Sequence, residues 1–190
     1  MEIFNYPILS FLTVKHNIDY EYYAATIKVL IGKNALLEKS MVELTEQPFK
    51  NIITIENLFK TIPQKPTNEI DILAICFQIG TEEIEPLGIV EFYTAFNYVH
   101  DSYIKMIQRE NTVLHYDPEM EELEAGIDSL RKFGRLSTID ALAGGDILKH
   151  NEIVELPYSR VFTKMYLELE KSKFQKALIK IKSNSKRNDS

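Results

Sequence analysis

"PLGIVEFYTAFNYVHDSYIKMIQRE", residues 86–110, decides the fold class. Val90, Tyr93, Phe96, Tyr103 and Ile107 recur at steps of three, four and seven residues, which lines one face of a helix. Pro86 suits the first helical position, where its missing N–H is no loss. At 1.5 Å per residue the stretch spans roughly 37 Å, which predicts the longest element and the spine of an all-helical core.

Toward the N-terminus, "PQKPTN" at residues 63–68 is the clearest internal boundary, a linker too short to separate independent domains. Beyond it Asn68 can cap a helix that buries Ile72, Ile75, Cys76 and Ile79 and stops at Gly80. A buried strand competes for the same apolar run. "TIENLFKTIP", residues 54–63, predicts a short helix ending before Pro63. "NALLEKSMVELTE", residues 34–46, predicts a helix capped by Asn34, striped by Leu37, Met41 and Leu44 and closed by Pro48. A further helix is expected over residues 19–32, with Tyr23, Ile27 and Leu30 on one face and Gly32 as its stop. The first 16 residues read as extended, with Pro7 interrupting any central strand.

Toward the C-terminus, "YDPEMEELEAGIDSLRKFG", residues 116–134, predicts one helix opened by Asp117-Pro118 and stopped by Gly134. Next, "STIDALAGGDILKHNEIVELPYSRVF", residues 137–162, holds a Gly-Gly-Asp step that could suggest a phosphate loop. A phosphate loop needs more glycines and a Lys-Ser/Thr pair, and Asp146 would repel the phosphate. The better reading is a joint: Ser137 and Asp140 approximate a capping box, Gly144 and Gly145 stop that helix, and Asp146 accepts amide hydrogen bonds at the next. Pro157 then opens the last helix, with Tyr158, Val161, Phe162 and Met165 as its stripe, continued near Phe174, Leu178 and Ile181. The fold expected is a mostly α, single-domain multi-helix bundle with a short extended N-terminal segment. It comprises an N-terminal helical part (1–64), a C-terminal helical part packed on it (65–182) and a polar basic tail (183–190).

With 45% hydrophobic residues, 26% charged and seven each of Gly and Pro in 190, the composition is that of a globular chain. Cys76 is the only cysteine, so neither an intramolecular disulfide nor a multi-thiolate metal site can form within one chain. The N-terminus lacks a basic leader and no apolar run reaches the ~20 residues of a membrane span, so a soluble chain made inside a cell is expected. The net charge of −6 hides an asymmetry. Residues 171–190 hold seven bases against Asp189, so the preceding 170 residues carry −12. Such a tail suits an acidic partner, non-specific contact with nucleic acid, or the acidic body of another copy. A solvated helix end is an equally good reading of the same lysines.

Candidate chemistry is sparse. His16, His100, His115 and His150 fall at no ligand spacing, and neither an H-E-x-x-H motif nor a nucleophile elbow occurs. Glu82, Glu83 and Glu85 are better read as helix-dipole partners than as paired catalytic acids. A recognition helix for DNA would be burdened by Asp146, Glu152 and Glu155. No catalytic residue, metal site or cofactor is therefore expected, and a binding or structural role remains by elimination.

Residues 124–178 resemble the C-terminal region of small virion and assembly proteins of tailed bacteriophages, above all those of gut Bacteroidetes and the crAss-like group. The likeness lies in an order of features: Phe133-Gly134, then "IDALAGGDILK", then Leu156-Pro157-Tyr158, then a Lys-rich helix. It implies a non-enzymatic component of the tail, neck or connector, found in the virion and in the host cytoplasm during assembly. Its implied partners are other phage structural or tail proteins and further copies of itself. A tail assembly chaperone absent from the finished particle is the alternative, and a nucleic-acid-binding regulatory domain a second. The candidate partner-binding residues are Asp117, Glu119, Glu121, Glu122, Glu124, Asp146, Tyr158, Lys171, Lys173, Lys176, Lys180 and Lys182. In a ring, residues 117–128 of one copy would face residues 171–187 of the next.

Overall fold

The computed structural model describes residues 41–62 and 64–188, with side chains up to Lys182. The extended segment 1–16, the helix expected at 19–32 and the start of the helix from Asn34 lie outside the described residues. Among those described, every regular element is helical and none is a strand, so the chain is mostly α. It divides into two compact units at Ile107–Gln108, and residues 64–67 form a turn inside the first.

In the first unit, Met41–Glu43 are not helical and Leu44–Glu46 form a single 3-10 turn, in place of the expected end of a longer helix. Helix α1 spans Phe49–Thr61, starting five residues before the expected Thr54. Pro48 sets that start: its carbonyl accepts from the Asn51 amide at 2.9 Å. Phe49, Ile52 and Ile55 then fall three residues apart and are fully buried. Helix α2 spans Asn68–Phe77, which settles the strand-or-helix alternative. Asn68 is its first helical residue rather than its cap, and its Nδ2 donates to Thr61 Oγ1 at 2.7 Å, stitching α1 to α2 across the Pro-rich turn.

Helix α2 stops at Gln78, which takes a left-handed conformation (φ 54°), two residues before the expected Gly80. Its buried face comprises Ile70, Ile72, Leu73, Cys76 and Phe77; Ile75 is only half-buried. Helix α3 is one turn, Thr81–Ile84, and Glu85–Gly88 form the link to helix α4, Ile89–Val113. Pro86 therefore lies in that link and not at a helix start. Tyr93 and Phe96 of the expected stripe are buried, joined by Phe92, Val99 and Met106. Phe59 stacks on Tyr103 with ring centroids 4.6 Å apart and tilts against Phe96 at 6.0 Å, so α1 packs along α4. Each fully buried aliphatic or aromatic side chain of this kind contributes about 1.5–3 kcal/mol.

The second unit begins within α4. The single helix expected at 116–134 is two pieces, α5 (Met120–Glu124) and a 3-10 helix (Ile127–Phe133). Gly126 separates them at φ 83°, a conformation most side chains avoid. Helix α6 (Arg135–Ala143) starts at Gly134, and Ser137 lies inside it donating to the Leu130 carbonyl instead of capping. A 3-10 turn (Ile147–Lys149), helix α7 (His150–Glu155) and helix α8 (Tyr158–Asn188) complete the unit. Pro157 opens α8 as expected, its carbonyl accepting from Arg160 at 3.0 Å. At 31 residues α8, not the 25-residue α4, is the longest element.

Candidate interaction surface

The joint at residues 143–150 is built as its residues dictate. Gly144 and Gly145 are both left-handed (φ 68° and 78°), and the Gly145 amide donates to the Asp140 carbonyl at 2.9 Å to close α6. Asp146 Oδ1 accepts from the Leu148 amide at 3.1 Å, which opens the 3-10 turn. His150 Nε2 lies 3.2 Å from Asp140 Oδ1, bridging α6 and α7 across the joint. Asp146 is thus occupied as a cap, with Lys149 Nζ at 3.4 Å from its other oxygen.

Tyr158 faces inward. It is 2% exposed, and its hydroxyl donates to Glu110 Oε2, while Arg135 grips both Glu110 oxygens at 2.5 and 3.1 Å. Burial, then the bond to Glu110, raise the phenol far above its ordinary range. Arg109 lies over the Phe162 ring at 4.9 Å. This cluster ties α4, α6 and α8 together and corrects the expectation that Tyr158 is a contact for a partner: its ring is inside. Nothing in the sequence alone pairs it with Glu110, 48 residues away.

The charged segments meet within one chain. Glu122 accepts from three donors: the Tyr116 hydroxyl, the Glu119 amide at 2.9 Å and Lys176 Nζ at 2.9 Å. Tyr116 first and Lys176 second hold its carboxyl down to about 2. Lys176 also donates to the Tyr116 hydroxyl and lies 4.8 Å over its ring, and its ammonium is raised in turn, by Tyr116 and then Glu122. One turn on, Lys180 reaches Glu119 Oε1 at 3.3 Å. Asp117 pairs with His115 at 3.0 Å, while Lys171 and Lys173 pair with Glu168 and Glu170. Of the residues expected to meet between neighbouring copies, Lys176 and Lys180 pair with Glu122 and Glu119 of their own chain. Glu121 and Glu124 stay exposed to solvent, as does Lys182, which has no carboxylate partner among the described residues.

Large apolar side chains share the surface of the second unit with these charges. Among its described residues only Ile139, Ala143, Tyr158 and Val161 form a buried hydrophobic core, while thirteen large hydrophobic residues are exposed. Among the described residues of the first unit the exposed ones are Tyr98 and Ile104. Ile147 and Leu148 project from the joint at 74% and 85% exposure. Phe174, Ile179 and Ile181 do the same from α8. These side chains are exposed to a degree unusual for large hydrophobic residues of a free-standing domain. Sequence periodicity continues the apolar stripe of α8 near Phe174, Leu178 and Ile181, and their exposure shows that this part of it lies outside the buried core.

Cys76 is fully buried and desolvation pushes its thiol up to about 12, so it acts as a small core hydrophobe. No group of three or more His, Cys, Asp or Glu side chains placed to hold a metal ion occurs among the described residues. No described helix is long and apolar enough to cross a membrane. The groove beside the clamp that Tyr116, Glu122 and Lys176 form, about 380 Å³, is lined by Lys173, Lys176 and Lys180 but also by Asp117 and Glu119, so it offers no uniformly basic cradle for an anion. Compared with known proteins, the chain matches no family model, no curated protein and no solved structure.

Proposed function

We propose that this protein is a non-enzymatic assembly component that works through protein–protein contacts in a multi-copy structure, namely a bacteriophage virion component of the tail, neck or connector. The observation that carries the reading is the inversion of the second unit, which exposes thirteen large hydrophobic residues and buries four apolar ones among its described residues. A free-standing domain of this size gains most of its stability from burying such side chains. A subunit that completes its core in an assembly leaves them outside until its partner arrives. The resemblance of residues 124–178 to phage assembly proteins supplies the particle. Mass spectrometry of purified virions tests this directly, paired with light scattering of the isolated protein. Many copies per particle and defined oligomers in solution are expected. Absence from particles, with a small species bound to a tail protein in infected-cell lysate, would overturn the virion role in favour of a tail assembly chaperone.

A further inference from the structure

We propose that α8 pairs antiparallel with the α8 of a second copy, along the outward stripe Leu167, Phe174, Leu178 and Ile181. These four are 48%, 67%, 38% and 63% exposed. At about 3.6 residues per turn they lie on one face, roughly opposite the face that carries Tyr158, Phe162, Lys176 and Lys180 into the second unit. The helix therefore has two working faces, one turned to its own unit and one turned away. Positions 167, 171, 174, 178 and 181 alternate steps of four and three, the seam of a two-helix coil, with Lys171 as the one polar member.

Charge decides the direction of pairing. A parallel pair would set Lys171, the polar member of the seam, against Lys171 of the second copy. In the antiparallel register that packs Phe174 against Leu178 of the second copy, Glu168 comes alongside Lys182 of the second copy, and two-fold symmetry makes that pair twice. Glu168 is half-exposed, its carboxyl held low by Lys164 and then Lys171, and Lys182 has no carboxylate partner among the described residues. Lys171 meets Ile181 in this register, its aliphatic stem on the seam and its ammonium at the rim.

The inference rests on the reading of the chain as a multi-copy assembly protein, and replaces an acid-to-base contact between copies with an isologous one. Sedimentation of the full chain over a wide concentration range tests it. The wild type is expected to dimerise, and Phe174→Asp to weaken the dimer about tenfold or more with unchanged helix content. Lys182→Glu is expected to weaken it about threefold, and the double exchange Lys182→Glu with Glu168→Lys to restore it. A wild type monomeric throughout, a dimer indifferent to Phe174→Asp, or a double exchange without recovery each overturns the proposal; the first assigns this face to a different protein or to another segment of the chain. A dimer with these responses from a protein absent from virions would keep this inference and reject the virion role alone.

Discussion

Lys176 Nζ lies 2.9 Å from Glu122 Oε1, joining α8 to a carboxylate 54 residues earlier in the chain. The same carboxylate accepts from Tyr116 and from the Glu119 amide, so a helix start, a tyrosine and the C-terminal helix share one anion. The contact gives the acidic segment a role inside the subunit. It fixes the course of α8 beyond α6, which orients the opposite face of α8 outward. A mixed-charge sequence with two apolar stripes on one helix therefore becomes an oriented arm.

Glu122 should titrate with a midpoint near 2, against its ordinary 4.5. A carboxyl held low in the folded state stabilises the clamp fully above its ordinary value, and that stability is lost as pH falls from about 4.5 toward 2. Lys176 works in the opposite sense: raised from 10.5, it supports the clamp below that value and fails only as pH climbs beyond it. Carbon-detected NMR of the Glu122 carboxyl reads the midpoint. In Lys176→Ala the value should rise toward 4.5 without fully reaching it, because Tyr116 and the Glu119 amide still donate.

Arg135→Ala should destabilise the chain by about 1–3 kcal/mol in urea unfolding, because it leaves Glu110 a part-buried charge held by Tyr158 alone among the contacts described. Tyr158→Phe should cost less, about 0.5–1.5 kcal/mol, since the bidentate arginine remains. Equal costs for the two would mean that the cluster does not hold α4, α6 and α8 as described. The ring of Tyr158 stays in place in the milder variant, so the difference isolates the polar contact.

Gln47 is fully buried beside the last turn of α2. Its Nε2 lies 3.5 Å from the carbonyls of Ile75 and Cys76, and its Oε1 accepts from Asn51 at 2.9 Å. Gln47→Leu keeps the volume and removes the polar partners, so a loss of about 1–3 kcal/mol is expected. Thermal unfolding of the variant beside Gln64→Leu, an exposed site, gives the comparison. A Gln47 variant as stable as the Gln64 one would show that the 3.5 Å contacts contribute nothing.

Helix identity is legible where a 3.6-residue stripe is long, as in α4, and two boundaries are legible from the residues that set them, Gly144-Gly145 and Pro157. Other boundaries are not. Pro48 begins α1 five residues earlier than the apolar pattern suggests, and Gln78 ends α2 in a left-handed turn usually left to Gly or Asn. Gly126 breaks residues 116–134 into two pieces although the acidic residues on the N-terminal side of that stretch favour a single helix start. At the surface, the charge asymmetry pointed to both ends of the clamp. Whether they meet within a chain or between chains is a question of distance, which periodicity does not carry. The outward stripe on α8 had the same spacing as a core stripe, and only exposure separates the two.

The Gly-Gly-Asp step separates a joint from a charged site by one pair of substitutions. Gly145→Ala forces a side chain to φ 78°, and open space around the position leaves the backbone strain as the whole penalty, about 1–2 kcal/mol. Asp146→Asn should be nearly neutral, because an Asn oxygen accepts from the Leu148 amide as the carboxylate does. Asp146→Ala should lose the cap at about 0.5–1 kcal/mol, the lower end of such effects for so short a turn. Urea unfolding ranks the three as Gly145→Ala, Asp146→Ala, Asp146→Asn in falling cost. If Asp146→Asn instead cost as much as Asp146→Ala, the negative charge itself would be what the joint uses, with Lys149 at 3.4 Å as its nearest cation.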